Sequence, residues 1–227
     1  MDKKIFAVAV DGPSGAGKST IAKRIAAELG IVYVDTGAIY RSVGLYAFRK
    51  GVDPKDAEAV TALLDEITID IEYGEDGLQR MILNGEDVTR DIRLPQISMY
   101  ASAVSAIPAV RAFLLEMQRA LARRNSVIMD GRDIATVVLP DAEVKIFLTA
   151  SAETRARRRE KELMERGTPE PFEKILSELQ ERDYNDSHRA EAPLRQAEDA
   201  VLIDTTELNF EESKEALIKV IREKTGV

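Results

Sequence analysis

The feature that most constrains this chain is the run Gly12-Pro13-Ser14-Gly15-Ala16-Gly17-Lys18-Ser19-Thr20. It fits G-x-x-x-x-G-K-[ST], and its flanks decide what that pattern means. Before it lies Ile5-Phe6-Ala7-Val8-Ala9-Val10, an apolar run that reads as a buried strand. After it, Ile21 to Leu29 carries apolar residues at helical spacing, and Gly30 supplies a helix stop. Strand, glycine loop and helix in this order form a phosphate cradle. Glycines let backbone N–H groups turn inward, and the helix N-terminus adds partial positive charge. The loop 12–20 is therefore the expected triphosphate site. Lys18 is expected to reach the β- and γ-phosphates and the Ser19 hydroxyl to bind Mg²⁺.

A chain of 227 residues, 44% of them apolar, suffices for one α/β domain with an insertion. It has no cysteine, which excludes a disulfide framework, a thiolate metal site and a thiol nucleophile. The start, Met1 to Val10, is too short in apolar residues for a secretory signal, and no later run approaches a membrane span. A soluble, cytoplasmic protein is expected. The net charge of −8 argues against a broad nucleic-acid or membrane surface. Yet arginines gather locally, at Arg155, Arg157, Arg158 and Arg159, and at Arg111, Arg132, Arg182 and Arg189. Such patches suit a small-anion site, against the plainer reading of solvated helix faces.

Further along, Ile31-Val32-Tyr33-Val34 reads as a strand, and Asp35 or Thr36 as the cap of a helix over about 38–50. Residues 55–66 predict another helix. The segment Ile67 to Tyr73 then alternates strictly, and 74–77 reads as a turn. Leu78 to Leu83 is a second strand, Asn84-Gly85 a hairpin turn and Glu86-Asp87-Val88 a third strand. This antiparallel piece, roughly 63–95, reads as an insertion. Helices are predicted over 95–105, 109–124, 152–166, 171–184 and 210–224, and strands over 126–130, 144–148 and 201–204. Five apolar strands alternating with helices imply an α/β fold with a doubly wound five-stranded parallel sheet.

A glycine loop alone does not say what is done with the triphosphate. The switch-GTPase pairs D-x-x-G and N-K-x-D are missing. The nearest motor-type acidic motif, Ala62-Leu63-Leu64-Asp65-Glu66, falls in a helical segment. Asp130 is the better partner, at the carboxyl end of a buried strand where an open parallel sheet binds ligands. There it could hold Mg²⁺ directly or through water, while Arg132 beside it could clamp a phosphate.

Several blocks in order carry a resemblance over nearly the whole chain: GPSGAGKST at 12–20, VDTGAIYRS at 34–42, the 102–111 segment, MDGRDIATVVLPDA at 129–142, KIFLTAS at 145–151 and ERDYNDSHRAEAPL at 181–194. In these the chain resembles the bacterial cytidylate kinases of the nucleoside-monophosphate kinase family. The resemblance implies one P-loop kinase domain over 1–227, with a core of 1–36, 106–153 and 186–227. It implies a monophosphate-binding subdomain with the β insertion over about 37–105, and a short helical lid over about 154–170 within the helical region 154–185. It implies ATP plus CMP or dCMP giving ADP plus CDP or dCDP, with Mg²⁺ and a monomeric chain, and with neither nucleic acid nor membrane as partner.

By the same resemblance Arg41, Arg132 and Arg189 hold the CMP phosphate, and Thr36 lies near that nucleotide. Ser102, Arg111 and Asp133 read cytosine. Arg182 and Asp186 touch sugar hydroxyls and phosphates; helical spacing at i, i+4, i+7 puts 182, 186 and 189 on one face. Arg155, Arg158 and Arg159 belong to the lid over ATP, with one helical turn between Arg155 and either partner. The catalytic set is Lys18, Arg132, Arg158, Arg159 and Arg182. Ser19 is the expected direct ligand of the metal, and Asp130 the ligand through water. The single histidine, His188, reads as a surface residue, since an ionised acceptor phosphate needs no general base.

Overall fold

The computed structural model describes residues 5–74 and 77–227. Its strands are β1 (Ala7–Asp11), β2 (Val32–Asp35), β3 (Ile69–Tyr73), β4 (Gln79–Leu83), β5 (Glu86–Asp87), β6 (Val127–Gly131), β7 (Val144–Thr149) and β8 (Val201–Asp204). Its helices are α1 (Lys18–Leu29), α2 (Thr36–Arg49), α3 (Ala57–Leu63), α4 (Pro95–Val104), α5 (Pro108–Arg124), α6 (Ala152–Glu165), α7 (Phe172–His188) and α8 (Phe210–Thr225). These fall into two compact units, one of residues 1–32 with 126–227 and one of residues 33–125.

The parallel sheet has the expected five strands, in the order β2-β6-β1-β7-β8, and all of it except residues 33–35 of β2 falls in the first unit. Val8, Ala9 and Val10 of the central β1 are fully buried, as are Val144, Ile146 and Leu148 of β7. A strand covered on both faces reads as a continuous apolar run, as β1 does; in β7 the run is interrupted by Lys145, which is buried and donates to Asp199 at 2.7 Å. The parallel register pairs Asp11 with Gly131 and Asp11 with Phe147, so β1 and β6 end level along the carboxyl edge and β7 runs two residues further. That edge is where the chain's polar and charged chemistry collects. Helix α1 packs Ile21, Ala22, Ile25 and Ala26 inward and stops at Gly30, whose φ of 64° suits a left-handed cap. Helix α8 opens with an Asn209–Glu212 capping box.

In the second unit Asp35 caps α2 by accepting from the Ala38 N–H at 2.9 Å. The insertion is a three-stranded antiparallel sheet, β3-β4-β5. Its alternation buries Ile69, Met81 and Leu83 and exposes Asp70 and Glu72. Asn84 and Gly85 take φ values of 50° and 82°, as a two-residue primed turn demands. Pro108 opens α5 at its first turn.

Most boundaries shift by one or two residues from the sequence expectation. The third strand of the insertion stops at Asp87, and residues 64–66 form a short 3₁₀ turn after α3. Helix α7 runs on to His188, beyond the expected end at 184, and residues 134–138 form an unforeseen π-helical turn. The expected turn over 74–77 includes residues 75 and 76, which lie outside the described residues. Among the described residues no single helix is long and apolar enough to cross a membrane.

Candidate active site

The glycine loop owes its path to its glycines. Gly12, Gly15 and Gly17 have φ values of 148°, 77° and 89°, where side chains are strained. Gly12 is the tightest: a Cβ there would come within 1.9 Å of the Leu148 carbonyl oxygen on β7. Gly17 is the N-cap of α1 and brings no side-chain acceptor to the first turn of that helix. Its N–H groups therefore remain available to an anion. Ser14 is half-buried, while Gly15 and Thr20 are exposed.

Lys18 closes the loop on itself. Its ammonium donates to the carbonyls of Gly12 and Pro13, both at 2.8 Å, and the side chain is buried. Burial brings its pKa down to about 7, and the Arg132 charge pushes the same way, against Asp130, Asp11 and Asp186. Beside it the Ser19 hydroxyl donates to Asp130 Oδ2 at 2.7 Å, joining α1 to the end of β6. This hydroxyl–carboxylate pair is a hard-oxygen donor set. Mg²⁺ binds in that style, through one or two protein oxygens with waters and substrate phosphates filling the rest. The residues therefore fit the metal that the motif implies.

Asp11, at the end of β1, was not singled out from the sequence. It is buried and accepts from the N–H groups of Ile134 and Ala135, both at 2.8 Å. Burial raises its pKa to about 6, with the Asp133 charge adding to the rise, against the two N–H donors and Lys18. It thereby pins the turn that carries Arg132 and Asp133. Its place, directly before the glycine loop at the end of a buried strand, was the available signal.

Arg132 donates from Nε to Asp186 Oδ2 at 2.7 Å. Burial alone would lower the basicity of this guanidinium, but Asp186, Asp130 and Asp11 outweigh it and raise its pKa. For Asp186 burial acts upward, and Arg132, Arg182 and Arg189 together hold the carboxyl below its usual range. Three arginines thus surround one buried carboxylate. Arg182 and Asp186 share α7, as the spacing predicted, but Arg189 does not lie on that helix face. It is the C-cap, with an extended ψ of 144°, because the helix ends at His188. From there its guanidinium donates to the Ala192 carbonyl at 2.7 Å and to Asp133 Oδ1 at 3.4 Å. The arginine thus reaches the Asp133 side of the site by leaving the helix. His188 is exposed, stacked on the Tyr184 ring.

The arginines of α6 part company. Arg155 is buried and turned inward, onto Ser14, Ala150 and Asp183. Arg158 is half-buried and donates to the hydroxyl and carbonyl of Thr205 at 3.1 and 2.6 Å. Arg159 is partly exposed, paired with Glu162 at 2.8 Å. In this structure no two of them aim at a common point.

The second unit holds the other expected residues. Thr36 is buried at the first position of α2. Arg41, on the next turn, lies close enough to Asp35 to help hold that carboxyl below its usual range, against burial and together with Arg93. Arg93 pairs with Asp35 at 2.6 Å, and Gln79 of the insertion accepts from the Asp35 N–H at 2.8 Å. Arg93 and Gln79 were invisible from local sequence, since they act 58 and 44 residues away from Asp35. Ser102 and Arg111 converge on Ser105. Ser105 donates its hydroxyl to the Ser102 carbonyl at 2.8 Å, and Arg111 donates to the Ser105 carbonyl at 3.1 Å. The Arg111 guanidinium also lies over the Tyr40 ring, 5.6 Å from its centre.

A glycine loop at the carboxyl end of the central parallel strand, closed by Lys18 and a Ser19–Asp130 pair, places the chain in the P-loop class of nucleoside-triphosphate-binding proteins. The sequence profile of the family described as cytidylate kinase matches residues 8–223. The chain is 50% identical over 213 residues to a cytidylate kinase of Caldicellulosiruptor bescii, covering 94% of each. It is 48% identical over 224 residues to a cytidylate kinase of Geobacillus kaustophilus, covering 99% of this chain and 100% of that one. The chain belongs to the cytidylate kinase family. A solved structure of an uncharacterized protein from Eubacterium ventriosum shares the fold alone, with a TM-score of 0.53 and 15% identity over 96% of this chain and 98% of that one.

Proposed function

We propose that the chain transfers the γ-phosphoryl group of ATP to CMP or dCMP, giving ADP and CDP or dCDP. The observation that carries this reading is the crowding of Arg132, Arg182 and Arg189 around the single carboxylate of Asp186. An acceptor phosphate would find three guanidiniums gathered there to hold its oxygens. A phosphate oxygen of CMP attacks the γ-phosphorus, the bond to the β–γ bridging oxygen breaks, and ADP leaves with that electron pair. No proton need move, so the chain supplies position and charge rather than a base.

In this reading the loop 12–20 holds the triphosphate, and Lys18 exchanges its two loop carbonyls for β- and γ-phosphate oxygens. Ser19 directly and Asp130 through water would hold Mg²⁺, which supplies neutralisation of the triphosphate's charge. Arg41, Arg132 and Arg189 hold the acceptor phosphate, with Thr36 near it, and Arg182 and Asp186 serve the sugar and the phosphates. Arg158 and Arg159 belong to a lid over about 154–170 and act on the transferring group once the lid closes, excluding water. Arg158 must then release Thr205. The family membership and the charge of −8 support a monomer of the cytoplasm whose partners are nucleotides, with neither nucleic acid nor membrane among them.

Cytosine presents an amino donor at N4 and acceptors at N3 and O2. Asp133 can accept from N4, while Arg111 and Ser102 can donate to the acceptors. Uracil reverses both groups at positions 3 and 4, setting a carboxylate against an oxygen. The test is ADP formation from ATP and Mg²⁺ with CMP, dCMP, UMP, AMP and GMP in parallel. CMP and dCMP are expected to dominate, and Asp133→Ala to cut kcat/KM for CMP by about a hundredfold while UMP changes little. No turnover with any monophosphate, from protein that still binds ATP, would overturn the reading.

A further inference from the structure

The family resemblance put Arg155 among the groups that close over ATP, yet the structure commits its whole head to protein. Nε donates to the Ala150 carbonyl at 2.9 Å, Nη1 to the Ser14 carbonyl at 2.9 Å and Nη2 to Asp183 Oδ2 at 2.6 Å. Its side chain is 5% exposed. A buried guanidinium is tolerated only when its donors are met, and each of these three nitrogens has an acceptor. The contact with the loop is also steric. Gly15 passes so close that a Cβ there would lie 3.3 Å from Arg155 Cβ.

Ser14 and Gly15 share one peptide plane. In a trans peptide the carbonyl of one residue and the N–H of the next point in opposite directions. Fixing the Ser14 carbonyl on Arg155 therefore directs the Gly15 N–H away from Arg155. Asp183 steadies the guanidinium from α7, one residue from Arg182 and three from Asp186. No position in the glycine motif encodes this support, because Ser14 and Arg155 are 141 residues apart in sequence.

We propose that Arg155 is a positioning residue of the nucleotide loop, acting through the Ser14 carbonyl and anchored by Asp183, so that the Gly15 N–H faces the triphosphate. The proposal rests on the reading of residues 12–20 as the ATP site. Arg155 does not itself touch the nucleotide; Arg158 and Arg159 keep that role.

The test is calorimetric titration with ATP and Mg²⁺, without acceptor, and separately with CMP. Arg155→Lys keeps charge and stem but loses the three-way fork, and is expected to weaken ATP binding about tenfold. Asp183→Asn, nearly isosteric, is expected to weaken it about threefold or more. CMP affinity stays within about twofold in both, a split that general loosening of the fold would not produce. The double variant binds ATP no more weakly than Arg155→Lys alone, because the two residues work through one contact. Thermal melts establish that each variant is folded. Native ATP affinity in Asp183→Asn, or effects that multiply in the double variant, would overturn the proposal and make Arg155 a direct ligand. ATP binding is read without turnover, so a failure of the CMP reaction would sink the functional reading and leave this one standing.

Discussion

Gly12→Ala is expected to destabilise the protein by about 4 kcal/mol or more, lowering the melting temperature by roughly 8–16 °C. Two causes act together at this residue. Its φ of 148° is a region that L side chains rarely adopt, and the new methyl would lie 1.9 Å from the Leu148 carbonyl. That oxygen belongs to the backbone of β7, which pairs with β1 at the centre of the sheet, so it cannot swing aside. Gly30→Ala is the control. It too has positive φ, at 64°, but a Cβ there meets nothing within 4 Å. It should cost only about 1–2 kcal/mol. Melting curves of the two variants side by side isolate the clash. Equal losses would mean that β7 does not approach the loop as described.

Lys18→Met is expected to lower kcat/KM for phosphoryl transfer by about a thousandfold or more, since it removes a buried cation from developing phosphate charge. The same residue leaves a mark on stability in the free protein. An unfolded chain keeps this lysine near 10.5, whereas burial in the fold brings it down to about 7. Between those values the unfolded chain holds a proton that the folded protein has shed. Raising the pH through that window therefore favours the fold, and below it both states carry the proton and the term is flat. The native protein should accordingly gain stability relative to Lys18→Met as pH rises from 7 towards 10.5. Urea unfolding at pH 7, 8, 9 and 10 measures the difference; a difference that does not change with pH would contradict the buried, proton-shedding ammonium.

What the sequence made legible is what short-range chemistry dictates. The strand, glycine loop and helix at 5–30 read directly, because only glycine takes the φ values that the loop uses. The insertion read equally well, since alternation and an Asn-Gly pair leave few other folds for residues 67–87. Spacing failed where a helix ended. Arg189 looked like the next member of an Arg182–Asp186 face, but it caps α7 in an extended conformation and reaches Asp133 from the loop beyond. Contacts between distant segments were not legible at all. Asp11 pins Ile134 and Ala135, Arg155 reaches Ser14 and Asp183, and Arg93 pairs with Asp35. Asp11 and Arg93 looked ordinary in their own neighbourhoods and Arg155 read as a lid group; only the tertiary fold supplies these partners.

The most direct test of the account follows the phosphoryl group itself. ATP labelled at its γ-phosphorus is incubated with the protein, Mg²⁺ and either CMP or no acceptor, and the products are separated. Label is expected in the β-phosphate of CDP, formed only when CMP is present, with little free phosphate in its absence. Label released as inorganic phosphate at the same rate with or without CMP would contradict it, leaving a nucleotide-binding loop without the acceptor site assigned here.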